Sequence, residues 1–186
     1  APDGDELPPD FRQLRTAGNL TGLTFSVAAA SWLVAVNMQA GHQLLWLAYL
    51  GAGGALAWID LRTTWLPRLL NHLCLAQVFA GLLVLAASDW RATAAAVAGG
   101  AAAWALFRLV WALGRGFGYG DVRLAAITGA VAGAGGLSNW LTSILCASVI
   151  GACWGVAHAL IHRDKELPFP YGPALWLGPV IALALT

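Results

Sequence analysis

Charge is the scarcest property of this chain. Asp, Glu, Lys and Arg make up 10% of its 186 residues, where a soluble globular domain carries about 25%. Hydrophobic residues make up 59%, with a mean hydropathy of +0.70, which excludes an ordinary soluble protein and points to one that lies in a bilayer. A net charge of +1 supplies no surface for a polyanion, so no nucleic-acid partner is expected. Cysteine is also rare: Cys74, Cys146 and Cys153 fall inside apolar runs without a CxxC pair. That pattern argues against a cysteine zinc site and reads as reduced, small hydrophobic side chains. No polar stretch is long enough for a soluble domain of ordinary size, and the head "APDGDELPPD" is acidic and Pro-rich, unlike the basic start of a signal peptide.

What is present is a series of apolar runs at about 20–38, 43–59, 69–88, 91–113, 122–137, 140–161 and 173–186. They predict an all-α polytopic membrane protein of six to seven transmembrane helices, the fifth and seventh being the shortest. Residues 1–19 read as a disordered cytoplasmic tail, and 20–186 as a single transmembrane domain. The connections alternate in basic charge: nine of the ten Lys and Arg fall on one side and Arg91 alone on the other. By the positive-inside rule the richer side, with the N-terminus, is cytoplasmic. "AAAVAGGAAA" and "TGAVAGAGG" are small-residue stretches that let membrane helices approach closely.

The acidic residues hold the chemistry. Outside the tail there are five, of which Asp89, Asp164 and Glu166 read most simply as solvated loop charges. Asp60 closes the second span, where the negative end of the helix dipole disfavours an anion. Asp121 opens the fifth, where it could be no more than a cap. A cap does not require Gly116, Gly118 and Gly120 around Tyr119, a run that lets backbone approach a second element closely. The topology puts both aspartates at one membrane face. A pair of carboxylates in a partly dry site shares a proton, which supplies a general base for water and a general acid for the peptide. The dipoles of their own helices would make Asp60 the acid and Asp121 the base.

The segment "WIDLRTTWLPRLL", followed some sixty residues later by "GYGDVRLAAITGA" and then by "LPFPYGPALWLG", resembles the type IV prepilin peptidase family of GxGD intramembrane aspartyl proteases. The resemblance covers roughly residues 43–186. It implies that Asp60 and Asp121 are the catalytic pair, that Gly118 and Gly120 are the glycines of GxGD, and that Pro67 is the proline following the first aspartate. Tyr119 and Arg123 flank the second aspartate, and Pro168, Phe169, Gly172 and Pro173 match a third stretch that shapes the site. Arg68 stands where Asn is common and Arg123 where Lys is usual, a change that keeps the charge and alters hydrogen-bond geometry. The third stretch is two residues longer than its commonest form.

The resemblance further implies an endopeptidase that removes a short basic leader, after a Gly, from prepilins or pseudopilins whose next segment is an apolar helix. It would work at the cytoplasmic face of the bacterial inner membrane with no metal or organic cofactor. With no CxxC, N-methylation is not expected. His158 and His162 share a helical face but have no further metal ligand near them in the sequence, and read as a cytoplasm-facing pair. The competing reading is a small ion- or proton-coupled transporter component, since intramembrane carboxylates also mark transport pathways. Such acids sit more often near the bilayer midplane, in broken helices. Neither the particular pilin nor the oligomeric state follows from the sequence.

Overall fold

In the computed structural model, which describes residues 9–114, 118–162 and 169–185, the chain is helical with no strand among the described residues. Seven helices follow in order: α1 (Ala17–Asn37), α2 (Ala40–Thr63), α3 (Arg68–Ser88), α4 (Trp90–Leu113), α5 (Tyr119–Ala134), α6 (Gly136–His162) and α7 (Gly172–Leu185). Five of them, α1, α2, α3, α4 and α6, are long and apolar enough to cross a membrane, and α7 is a shorter apolar helix. At 16 residues, α5 is about 24 Å long, less than a bilayer's hydrocarbon thickness of about 30 Å.

Helix ends follow local chemistry. Of the segment expected as a tail, Phe11–Leu14 form a 3-10 turn capped by Asp10, and Thr16 caps α1 by accepting the Asn19 N–H at 3.3 Å. Asp89, expected as a loop charge, is half-buried and caps α4 by accepting the Ala92 N–H at 2.9 Å. Helix α2 stops at Thr64, whose left-handed backbone (φ 53°) turns the chain, and Pro67 then starts α3. Gly136 (φ 88°) makes the abrupt reversal between α5 and α6, a conformation that glycine adopts without steric cost.

The core is built around α5, twelve of whose residues are buried, while the other helices turn large apolar side chains such as Phe25, Trp32, Leu83 and Leu145 outward. The small residues make this possible. A Cβ on Gly129 would lie 2.5 Å from the Gly99 carbonyl, and one on Gly133 would lie 2.6 Å from that of Ala95, so α4 and α5 pack backbone to backbone. Trp140 of α6 locks the same seam by donating its ring N–H to the Gly99 carbonyl at 3.0 Å.

Two irregularities set the rest. Tyr49–Gly53 form a π turn inside α2, and Pro179 lies inside α7. A proline has no N–H for the carbonyl four residues back, here Leu175. The Tyr49 hydroxyl donates to that carbonyl at 3.0 Å and lies 2.9 Å from that of Trp176, while Thr128 of α5 lies 3.5 Å from the Leu175 oxygen. A buried polar node thus ties α2, α5 and α7 together where an orphaned acceptor in a membrane interior would cost several kcal/mol, roughly.

Candidate active site

The alternation of the helices brings the end of α2, the starts of α3 and α5, and the start of α7 to one end of the bundle. Asp60 and Asp121 meet there, only 4% and 7% exposed, a degree of burial that acidic residues rarely reach without a specific partner.

Asp60 is held from the far end of the chain. Its Oδ2 accepts the Gly172 N–H at 2.7 Å, across 112 positions. The first turn of α7 is built for this bond. Tyr171 accepts the Ala174 and Leu175 N–H groups, and Pro173 has none to offer, so the Gly172 N–H is left to face the carboxylate. A Cβ on Gly172 would come within 2.8 Å of the same Oδ2, which explains why a glycine stands there.

Asp121 is held locally. Gly118 occupies the cap of α5, and Asp121, in its first turn, reaches back so that Oδ2 accepts the Gly118 N–H at 3.2 Å. The cap expected of Asp121 therefore belongs to Gly118, and the Asp121 Oδ1 is buried with no partner among the described residues. Gly120 lies under Leu66, whose Cβ would be 2.8 Å from an added methyl, and its carbonyl accepts the Asn71 side-chain N–H at 3.3 Å. The loop carrying Pro67 is thereby packed onto the GxGD turn. The charges of Asp60 and Asp121 act on one another.

The other residues singled out in the sequence form a surround. Tyr119 packs edge-on against Trp111, with ring centroids 5.5 Å apart, and the Arg123 guanidinium lies over the Tyr119 ring at 4.8 Å. Phe169 packs against His158 and against Tyr171. Pro168, Gly116, Asp164 and Glu166 lie outside the described residues, as does the side chain of His162. No group of three His, Cys, Asp or Glu suited to a metal occurs among the described residues.

Two residues at the site were not singled out in the sequence. Asn71 is 1% exposed, and a signal for it existed: it is in helical phase with the buried Cys74, Val78, Gly81 and Leu85, a polar residue on an otherwise apolar stripe. It stands one turn beyond Arg68, where the family pattern has its Asn. Tyr171 sits inside the third motif and precedes the glycine that holds Asp60. Its ring is clamped against Gly151 of α6, with no room between them for a Cβ, and tilts against Phe107 of α4 at 6.0 Å. Burial raises the pKa of its hydroxyl, the Asp121 charge adds to that, and a hydrogen bond with Ser148 opposes it.

Residues 47–156, which carry both carboxylates, match the Type IV leader peptidase family. The chain belongs to that family. The matched region contains α3, α4 and α5 entire, together with both aspartates. The chain is 34% identical over 161 residues to the "Prepilin leader peptidase/N-methyltransferase" of Stutzerimonas stutzeri, covering 82% of this chain and 52% of that protein. It is 32% identical over 171 residues to the protein of that name from Aeromonas salmonicida, covering 88% and 55%, and 32% over 166 residues to that of Burkholderia pseudomallei, covering 85% and 52%. It thus spans about half the length of the curated relatives it matches. No solved structure matches the chain at a significant level.

Proposed function

We propose that the chain is an intramembrane aspartyl endopeptidase that removes leader peptides from type IV prepilins or pseudopilins, with Asp60 and Asp121 as its catalytic dyad. The observation that carries the proposal is the convergence of the three motifs on two buried carboxylates: Gly172 on Asp60 at 2.7 Å, Gly118 on Asp121 at 3.2 Å, and Asn71 on Gly120 at 3.3 Å. Family membership and the names of the relatives support the substrate class. In this reading one carboxylate activates water for attack on the scissile carbonyl and the other donates a proton to the carbonyl oxygen and then to the leaving amine. A backbone N–H group holds each acid: Gly172 for Asp60 and Gly118 for Asp121.

The hydrogen bonds favour roles opposite to those that the dipoles of their own helices suggest. Asp60 also faces the N-terminus of α7, which favours an anion, and takes the shorter N–H bond, whereas Asp121 keeps one oxygen without a partner. Asp60 is therefore the base and Asp121 the proton donor at the start of the cycle. A carboxylic-acid infrared band that disappears in Asp60→Asn and survives in Asp121→Asn would overturn these roles.

The dyad end is also the basic end. Arg12, Arg15, Arg62, Arg68, Arg108 and Arg123 cluster there, and among the described basic residues Arg91 alone lies at the opposite end, which supports a site facing the cytoplasm, with the N-terminus on the same side of the bacterial inner membrane. The decisive experiment is cleavage, by purified protein in detergent, of a prepilin peptide with a basic leader, a Gly at the junction and an apolar helix. Wild type is expected to cut once, after the Gly. Asp60→Asn and Asp121→Asn should each lose at least ~1,000-fold in kcat while melting like wild type. Near-wild-type cleavage by either folded variant removes that aspartate from the mechanism.

A further inference from the structure

A groove of about 590 Å³ runs along the outer face of the bundle between α2 and α3. Its floor and walls are mostly small or aliphatic, among them Ala48, Gly51, Leu70, Leu73 and Ala80, and one residue breaks the pattern: Gln77. Gln77 is exposed and lies near the middle of α3. An amide in that position faces hydrocarbon unless another helix covers it, and the pairing of small residues with one Asn or Gln is what packs transmembrane helices together. The opposite wall carries the π turn, which places Gly51 in the groove; such turns inside α-helices occur often at functional sites. These features on two different helices converge on one groove.

The direction of the groove says what lies in it. Leu70 also lines a second hollow of about 420 Å³, whose other walls include Trp58 and Ile59 of α2, Pro67, and Leu20 and Leu23 of α1. Ile59 precedes Asp60, and Pro67 opens the helix that brings Asn71 onto the GxGD turn. From Leu70 to Gly81 the groove follows eleven steps of α3, about 16 Å of helix axis. Together the two hollows lead from the middle of α3 to Ile59, the residue before Asp60.

We propose that this groove seats the apolar helix of the prepilin substrate, so that the residue at its cytoplasmic end is delivered to Asp60. The proposal rests on the peptidase function above and adds the docking surface to it. A contact between two copies of the chain would have no reason to lead to the residue before Asp60.

The test uses the full chain in lipid nanodiscs with a prepilin carrying its leader and apolar helix. Ala80→Trp, which fills the groove at an exposed position, is expected to raise KM at least tenfold with kcat within twofold, whereas Leu145→Trp, on the outer face of α6, should leave both unchanged. A wild-type KM in Ala80→Trp overturns the proposal. Independently of any folding defect, benzoylphenylalanine at position 77 in an Asp60→Asn background should photocrosslink to the apolar segment of the prepilin; an adduct formed only with a second copy of the chain, or only with lipid, overturns it as well. If wild type cuts no prepilin, the function itself fails. If wild type and Ala80→Trp cut equally well, only the groove does.

Discussion

The two aspartates are equally buried and are held in opposite ways. Asp121 takes its backbone N–H from a residue three positions earlier, Asp60 from one 112 positions later. The first arrangement forms with the helix that carries it. The second exists only when α7 docks with its first turn in register, and that register depends on a tyrosine ring wedged between α4 and α6. Half of the site is therefore secondary structure and half is tertiary packing. The two halves should fail differently.

Gly172→Ala is the strongest way to break the remote half. Its methyl would lie 2.8 Å from the Asp60 Oδ2, displacing a hydrogen bond to a charged group worth about 1.5–3 kcal/mol, so kcat should fall about 100-fold, measured by prepilin cleavage, and the melting temperature should fall with it. Next comes Gly151→Ala, at a residue that touches neither acid. Its methyl drives the Tyr171 ring out of its slot, and a small misplacement of the N–H behind it should cost roughly tenfold in kcat. Tyr171→Ala should do the same, and the double variant should be no worse than the single ones, because the two residues act through one contact. If Gly151→Ala is fully active, the ring does not set the register of α7.

Beside the local half, Asn71→Ala removes a brace from α3 onto the Gly120 carbonyl and leaves the Gly118–Asp121 bond in place. It should lower activity less than Gly172→Ala does and cost about 1 kcal/mol of stability, read as a lower melting temperature. The smallest effect belongs to Tyr49→Phe, which leaves the Leu175 carbonyl to Thr128 alone. Hydrogen bonds between membrane helices average about 0.6 kcal/mol, so a slight loss of stability with unchanged cleavage is expected. Equal kcat losses in Asn71→Ala and Gly172→Ala would erase the distinction between the halves.

That distinction also explains what could be read in advance. The seven helices were legible because bilayer thickness imposes one period on hydropathy, and the expected shortness of the fifth and seventh spans matches α5 and α7. The GxGD turn was legible because glycine spacing and acid lie within four residues. The capping role of Gly118 was not, since a reading by residue type favours the aspartate as the cap. Tyr171 was passed over because its importance arises from Gly151 and Phe107, which lie in two other helices. The acid and base roles inferred from helix dipoles considered only the helix to which each aspartate belongs, and the N-terminus nearest Asp60 belongs to α7. Asn71 could have been found by asking which polar residues share phase with the buried stripe of α3.

The Gly172–Asp60 bond has a consequence for biosynthesis. Ribosomes add about 5–20 residues per second, so the 112 residues between the two partners take roughly 6–22 s to make. During that interval α2 is already available to the membrane, and the Asp60 carboxylate has no Gly172 N–H to accept. This half of the site therefore forms only after α7 has followed α2 into the bilayer, whereas the Gly118–Asp121 half is complete as soon as α5 has coiled.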